Sequence, residues 1–379
     1  MVTRRFWIRK LEGAWKRRNV VWLSGVRRIG KTVLCQSLKS IEYFDCELPR
    51  TRRMLEEDPE SLLESCKGKR VVLDEIHRLR NPSEILKIAA DHYPSVRIIA
   101  TGSSGLGASS KFKDTLTGRK DEVWLTPVMS SDLEDFQNMD LPNRLLKGGL
   151  PPFFLAKELI EREFQEWMDA CWAKDILELF RLERRYSFLR FAELLMAQSG
   201  GIFEATRFAK QCEVSRTTIM NYLSVLEATF LAHVIRPFST HRPVEIVAAP
   251  KVYAFDTGFV CYYKGWSGLR SDDMGILFEH YVLNELHACL QQPNRIRYWR
   301  SKTGQEVDLV ITYRSGPPAA VQIQWTDSEF HPKNILAFRK HYPEGKNYLV
   351  CSNIARPYMR RFRELNVNFV SLKGLLDRL

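Results

Sequence analysis

Several features are missing from this 379-residue chain, and each absence narrows the reading. No stretch approaches the roughly 20 apolar residues that a membrane-spanning helix needs. The eight cysteines (Cys35, Cys46, Cys66, Cys171, Cys212, Cys261, Cys289 and Cys351) contain no CxxC pair and have no histidine at ligand spacing. Structural zinc requires such pairing, so free thiols in a reducing compartment are expected instead. The basic opening Met-Val-Thr-Arg-Arg-Phe-Trp has no apolar run behind it, so no secretory leader is expected and the cytoplasm is the expected location. There is neither an internal repeat nor a low-complexity tract. What remains is the composition of a globular protein, 45% apolar and 27% charged.

Acidic counter-charge is also in short supply. With 57 Lys and Arg against 45 Asp and Glu, the chain carries a net charge of +12. The excess is clustered. Arg4, Arg5, Arg9, Lys10, Lys16, Arg17 and Arg18 face Glu12 alone near the start; Arg181, Arg184, Arg185 and Arg190 form a second group, and Arg356, Arg360, Arg361 and Arg363 a third. Basic surfaces attract phosphate backbones through counterion release, so DNA is the expected partner. Any one cluster reads equally well as a solvated helix face.

The length exceeds what one core usually supports, so two or three domains are expected. Residues 1–147 alternate short apolar runs with amphipathic stretches, the sequence form of an α/β fold with a parallel sheet. Val20–Ser24, Glu42–Asp45, Arg70–Asp74 and Arg97–Thr101 read as strands, with a helix over Pro82–Tyr93 and an edge strand at Val123–Leu125. Residues 148–270 turn to long helical periodicity. Within them Phe203–Phe230 reads as helix, turn, helix, and Arg216, Thr217, Thr218 and Asn221 sit where a recognition helix would meet DNA. Trp167, Trp172, Phe180 and Tyr186, at helical spacing, are expected in the core. Residues 271–379 read as a helix, strands at Arg297–Arg300, Glu306–Thr312 and Ala320–Trp325, and a final helix.

The chemistry concentrates in the first part. Gly25-Val26-Arg27-Arg28-Ile29-Gly30-Lys31-Thr32 satisfies G-x-x-x-x-G-K-[ST] between a predicted strand and a predicted helix. The two glycines let main-chain N–H groups wrap phosphates, and Val33 opens the helix behind them. Lys31 would place its ammonium on the β- and γ-phosphates of ATP, and the Thr32 hydroxyl would ligate Mg²⁺. Asp74, ending the apolar run Val71-Val72-Leu73, would hold the Mg²⁺ shell, and Glu75 would act as general base. Thr101 ends the next strand as a candidate sensor of the γ-phosphate. Ser103 and Ser104 would do the same or cap a helix. Arg119 is a candidate arginine finger, or else a surface residue.

The motifs GVRRIGKT (25–32), VVLDEIHRL (71–79), IIATGSS (98–104), TGR (117–119), GGLP (148–151), FDTG (255–258) and EVDLV (306–310), in this order, resemble the prokaryotic AAA-type ATPases that carry a C-terminal domain of unknown function numbered 4143. The resemblance implies an AAA+-like core, a winged-helix-like middle and a restriction-endonuclease-like C-terminal domain. It also implies nucleic-acid work and assembly into rings or other homo-oligomers. In that nuclease-like fold Glu279 matches the helix acid and Asp308 the strand aspartate. Gln322 and Gln324 stand where an acid and a lysine are expected, so metal-dependent cleavage should be lost. The leading expectation is an oligomeric ATPase acting on DNA as motor or remodeller. A nucleotide-dependent switch binding a protein partner is the second, and an ATP-dependent nuclease the third.

Overall fold

A computed structural model describes residues 2–102, 116–180, 182, 184–240, 248–328 and 330–379. Ser103, Ser104 and Arg181 lie outside the described residues. The chain divides into two compact units, residues 1–189 with 220–231, and residues 190–219 with 232–379.

The first unit is built on five strands: β1 Val20–Ser24, β2 Ile41–Asp45, β3 Arg70–Asp74, β4 Arg97–Gly102 and β5 Lys120–Trp124. Their order is β2-β3-β4-β1-β5, and every pairing is parallel. Strands covered on both faces need continuous apolar runs, which is why Val20-Val21-Trp22-Leu23 and Val71-Val72-Leu73 do not alternate. Helix Pro82–His92 packs Ile85, Leu86 and Ala89 onto Val71, Leu73, Ile98 and Ala100. Because β4 lies between β1 and β3, its end places Thr101 between the loop after β1 and the acid ending β3.

Helix Arg5–Arg17 buries Trp7, Leu11, Ala14 and Trp15, positions that share one helical face. Part of the basic cluster around it is drawn into ion pairs, while Arg9, Lys16 and Arg18 are exposed. Arg4 is buried and donates to the main-chain oxygens of Ile29 and Thr126 and to Asp132. Arg5 pairs with Asp135 and Arg17 with Asp121. Further on, helix Glu161–Cys171 runs into a π-helical turn, Trp172–Ile176, and then helix Leu177–Phe180. Trp167 and Trp172 are buried there as expected, but Tyr186 is 90% exposed. It lies in the first turn of helix Arg185–Ala197, whose buried side is taken by Phe188, Phe191 and Ala192.

The second unit holds an antiparallel sheet of β6 Gly201–Ile202, β7 Ala232–Ile235 and β8 Lys251–Ala254, ordered β6-β8-β7. Helix Ala205–Cys212 follows β6, and helix Arg216–Ala228 begins after a turn capped by Ser215. The long helix Ser271–Leu290 then leads to β9 Ile296–Arg300, β10 Glu306–Ile311, β11 Ala319–Gln324, β12 Asn347–Cys351, β13 Tyr358–Phe362 and β14 Leu365–Val370. These six form one mixed sheet, ordered β13-β14-β12-β11-β10-β9. Helix Lys333–His341 covers it with Ile335 and Phe338 against Val307, Val310, Ala320 and Leu349. The sequence reading anticipated β9, β10 and β11 but not β12, β13 or β14.

Candidate nucleotide site

The loop between β1 and helix Lys31–Gln36 has a backbone that side chains would obstruct. A Cβ on Gly25 (φ 153°) would meet the Leu125 carbonyl oxygen at 2.7 Å, and Gly30 has φ 99°. Arg28 is also left-handed, at φ 59°. The turn thus shapes a cradle of main-chain N–H groups that only this glycine spacing permits. Lys31 is buried at its edge, and its ammonium donates to the main-chain oxygens of Gly25 (2.8 Å) and Val26 (3.2 Å). An ammonium held at the edge of the loop can offer its charge to a phosphate bound there.

Asp74 ends β3 and is buried. One of its oxygens accepts from the hydroxyls of Thr32 (2.7 Å) and Tyr43 (2.5 Å), and the other from Thr101. The pairing of Thr32 with Asp74 sets two oxygen donors side by side beside Lys31, a donor set suited to Mg²⁺. Thr101 is fully buried, and its hydroxyl also accepts from the Glu75 N–H at 2.9 Å. It therefore fixes both acidic residues. Burial next to Asp74 pushes the Tyr43 hydroxyl far up, so Tyr43 stays a donor.

Glu75 adopts a left-handed conformation (φ 52°), an uncommon geometry for a side chain with a Cβ. Its carboxylate lies 3.2 Å from His77 Nδ1. Burial raises its proton affinity, and Lys31 partly offsets this. A carboxylate with a raised pKa is a stronger base, the property that proton abstraction from water uses.

The cleft over the loop has a volume of about 490 Å³. Arg27, Arg28, Gly30, Lys31, Thr32, Val33 and Glu75 line one side of it, and Pro151, Lys174 and Asp175 are on the other. Sequence reasoning missed this second wall, and it missed Tyr43. Asp175 stands on the π-helical turn, is buried, and has Oδ2 3.8 Å from Arg27 Nε. The preceding helix is pinned to the loop, since Trp167 Nε1 donates to the Arg27 carbonyl at 3.2 Å. The signal that would have found this wall is Asp175 lying between the apolar positions Trp172 and Ile176 of that helical stretch.

The remaining candidates lie elsewhere. Arg119 pairs with Asp91 at 2.7 Å and does not line the cleft. Arg216, Thr217 and Asn221 are exposed, whereas the Thr218 hydroxyl bonds Ser215 within the cap. Arg185 pairs with Asp169 and Arg190 with Glu213, while Arg184 is exposed. Arg356, Arg360, Arg361 and Arg363 are exposed on and around β13. In the second unit, Asp308 Oδ2 accepts from the Gln322 side chain and the Ile323 N–H, both at 2.7 Å. Glu279 is bonded by Tyr253 and Lys251, and the Gln324 amide oxygen is buried without a partner among the described residues.

The parallel sheet and the glycine loop fit a P-loop ATPase core, and comparison with known proteins matches the chain in three parts. Residues 17–133 match the family model of an AAA domain, residues 274–370 that of a domain of unknown function, DUF4143, and residues 138–270 that of another, DUF8612. The chain thus carries an AAA domain match towards its start and a DUF4143 match towards its end. Uncharacterized proteins of Mycobacterium tuberculosis and Mycobacterium bovis are each 27% identical to it over 341 residues, 86% of this chain and 75% of theirs. Among solved structures, a Walker-type ATPase of Pyrococcus abyssi is similar at 16% identity and a TM-score of 0.46, over 70% of this chain and 96% of that one. Thermotoga maritima RuvB is similar at 16% identity and a TM-score of 0.31, over 65% and 95%. No helix among the described residues is long and apolar enough to cross a membrane.

Proposed function

We propose that the chain binds Mg-ATP on the 25–33 loop and hydrolyses it, and that it does so as a homo-oligomer acting on DNA. The observation that carries the ATPase reading is the Thr32–Asp74 hydrogen bond of 2.7 Å beside the buried Lys31 ammonium. In this reading Lys31 exchanges its carbonyl partners for phosphate oxygens, and the loop N–H groups orient the chain of phosphates. Thr32 and Asp74 would hold Mg²⁺, which supplies charge neutralisation at those oxygens when bound. Glu75 takes a proton from water, while Thr101 keeps its main chain and Asp74 in register. Arg119 would serve a neighbouring subunit's site after release from Asp91.

The three-part division at residues 1–147, 148–270 and 271–379 is part of the proposal, and the three family matches support it. Support for DNA rests on the exposed arginines around β13, the exposed Arg9, Lys16, Arg18 and Arg184, the exposed Arg216, Thr217 and Asn221, and the +12 charge. Support for a protein contact, whether another copy or a partner that reads the nucleotide state, comes from Leu155, Ile160, Leu177 and Tyr186, all exposed in the first unit.

The deciding experiment is an ATPase assay across single-stranded, double-stranded and branched DNA over a salt series, with Glu75→Gln as control. Stimulation that fades steeply with salt is expected, together with a Glu75→Gln variant that binds ATP and does not turn it over. No affinity for adenine nucleotides would end the ATPase reading. Hydrolysis indifferent to every DNA would end the DNA reading alone and leave the nucleotide-dependent switch.

A further inference from the structure

The nuclease-like resemblance implies a divalent metal among Glu279, Asp308 and the acid after them, and the residues do not fit one. Lys251, on β8, is buried with its side chain 5% exposed, and its ammonium lies 3.1 Å from Glu279 Oε1 and 2.8 Å from Glu306 Oε1. Tyr253, two residues along the same strand and so on the same face, donates to that Glu279 oxygen at 2.6 Å. Asp308 faces the same ammonium from β10, and Arg300 approaches the outer oxygen of Glu306 at 3.7 Å. We propose that Lys251 is the resident cation of this acidic pocket, standing where a divalent metal would stand, so that the pocket is an internal ion lock between β8, helix Ser271–Leu290 and β10 and takes no metal.

Charge bookkeeping supports the assignment. Asp308 is satisfied within the protein, its Oδ2 accepting from the Gln322 side chain and the Ile323 N–H. Glu279 and Glu306 are matched by Lys251 and Arg300, so both carboxylates already hold a cation. The distances, 2.8 and 3.1 Å, are those of ordinary ammonium–carboxylate hydrogen bonds. Among the described residues, no group of three or more His, Cys, Asp or Glu is placed to hold a metal ion. The amides at 322 and 324 follow from the same balance. An acid there would add buried charge without a partner, and a second lysine would compete for the same carboxylates. Gln322 instead donates to Asp308 at 2.7 Å.

The test uses the full chain without nucleotide and Mn²⁺ as the probe, followed by electron paramagnetic resonance and by melting temperature. Lys251→Met, which keeps the length of the side chain and removes its charge, should gain a Mn²⁺ site and be stabilised by Mn²⁺. Adding Asp308→Asn to that variant should abolish the gain, which separates it from any binding at the loop site. Wild-type protein should lack this increment. Mn²⁺ bound by wild type and lost on Asp308→Asn would overturn the proposal, as would a folded Lys251→Met variant with no gain. Should Lys251→Met not fold, lysine acylation of the wild type decides. Lys251 should stay protected relative to the exposed Lys302, with or without Mn²⁺, and a Mn²⁺-induced rise in its labelling would refute the lock.

Discussion

The buried histidines of the second unit make stability depend on pH in a way that one substitution isolates. His280 Nδ1 lies 2.7 Å from the Ile276 carbonyl, which only accepts, so Nδ1 carries the ring proton. Nε2 is left to accept from the Ser199 hydroxyl at 2.5 Å, and that oxygen accepts in turn from the Ala254 N–H at 2.6 Å. A second proton on the ring would break this relay inside an apolar surround. Burial accordingly lowers the His280 pKa from 6.5 to about 4. The unfolded chain therefore binds more protons than the folded one between those values, and stability falls as pH drops below 6.5. At pH 5 the loss from this residue alone is about 2 kcal/mol, and at pH 7 it is close to nothing. Other groups titrate as well, so the comparison must be with His280→Gln rather than within the wild type. Urea unfolding followed by tryptophan fluorescence at both pH values should show the wild type's advantage over His280→Gln shrinking by about 2 kcal/mol from pH 7 to pH 5. Parallel losses in the two proteins would show that the histidine is not held neutral, and the reasoning from its burial would fail.

Two further outcomes test the nucleotide cleft. Thr101→Val conserves volume but takes a donor from Asp74 and an acceptor from the Glu75 N–H, so it should cost about 2–3 kcal/mol in the first unit's stability. Turnover should fall while ATP affinity holds, and an unchanged unfolding midpoint would show that the hydroxyl is replaceable. Asp175→Asn removes a buried negative charge from the wall facing the loop. ATP should then bind roughly tenfold tighter, the scale of a charge interaction about 12 Å apart at an effective dielectric near 20. Weaker binding in a fluorescent-nucleotide titration would mean instead that the carboxylate serves by aiming Arg27.

Legibility in the sequence followed the range of the physics involved. β1 and β3 were readable because strands covered on both faces need unbroken apolar runs, and Val20–Ser24 and Arg70–Asp74 contain little else. The loop was readable because phosphate binding by main-chain N–H groups demands glycines at set spacing, a constraint contained within eight residues. β13 was not, since Tyr358-Met359-Arg360-Arg361-Phe362 is an edge strand with four of five residues exposed and no alternation to betray it. The counts of basic residues misled for a related reason: Arg4 meets Asp132 across 128 positions, a distance over which composition carries no information. Lys251 is the sharpest case. A search for a lysine in the strand after Asp308 finds Gln324 and stops, yet the ammonium arrives from β8, 57 residues earlier than Asp308 in the chain. The electrostatic requirement of the pocket is for a positive charge at a point in space, and the chain is free to deliver it from any strand that passes. Sequence motifs record only the commonest route, so a motif lost at its usual position leaves the location of the charge open until the fold is known.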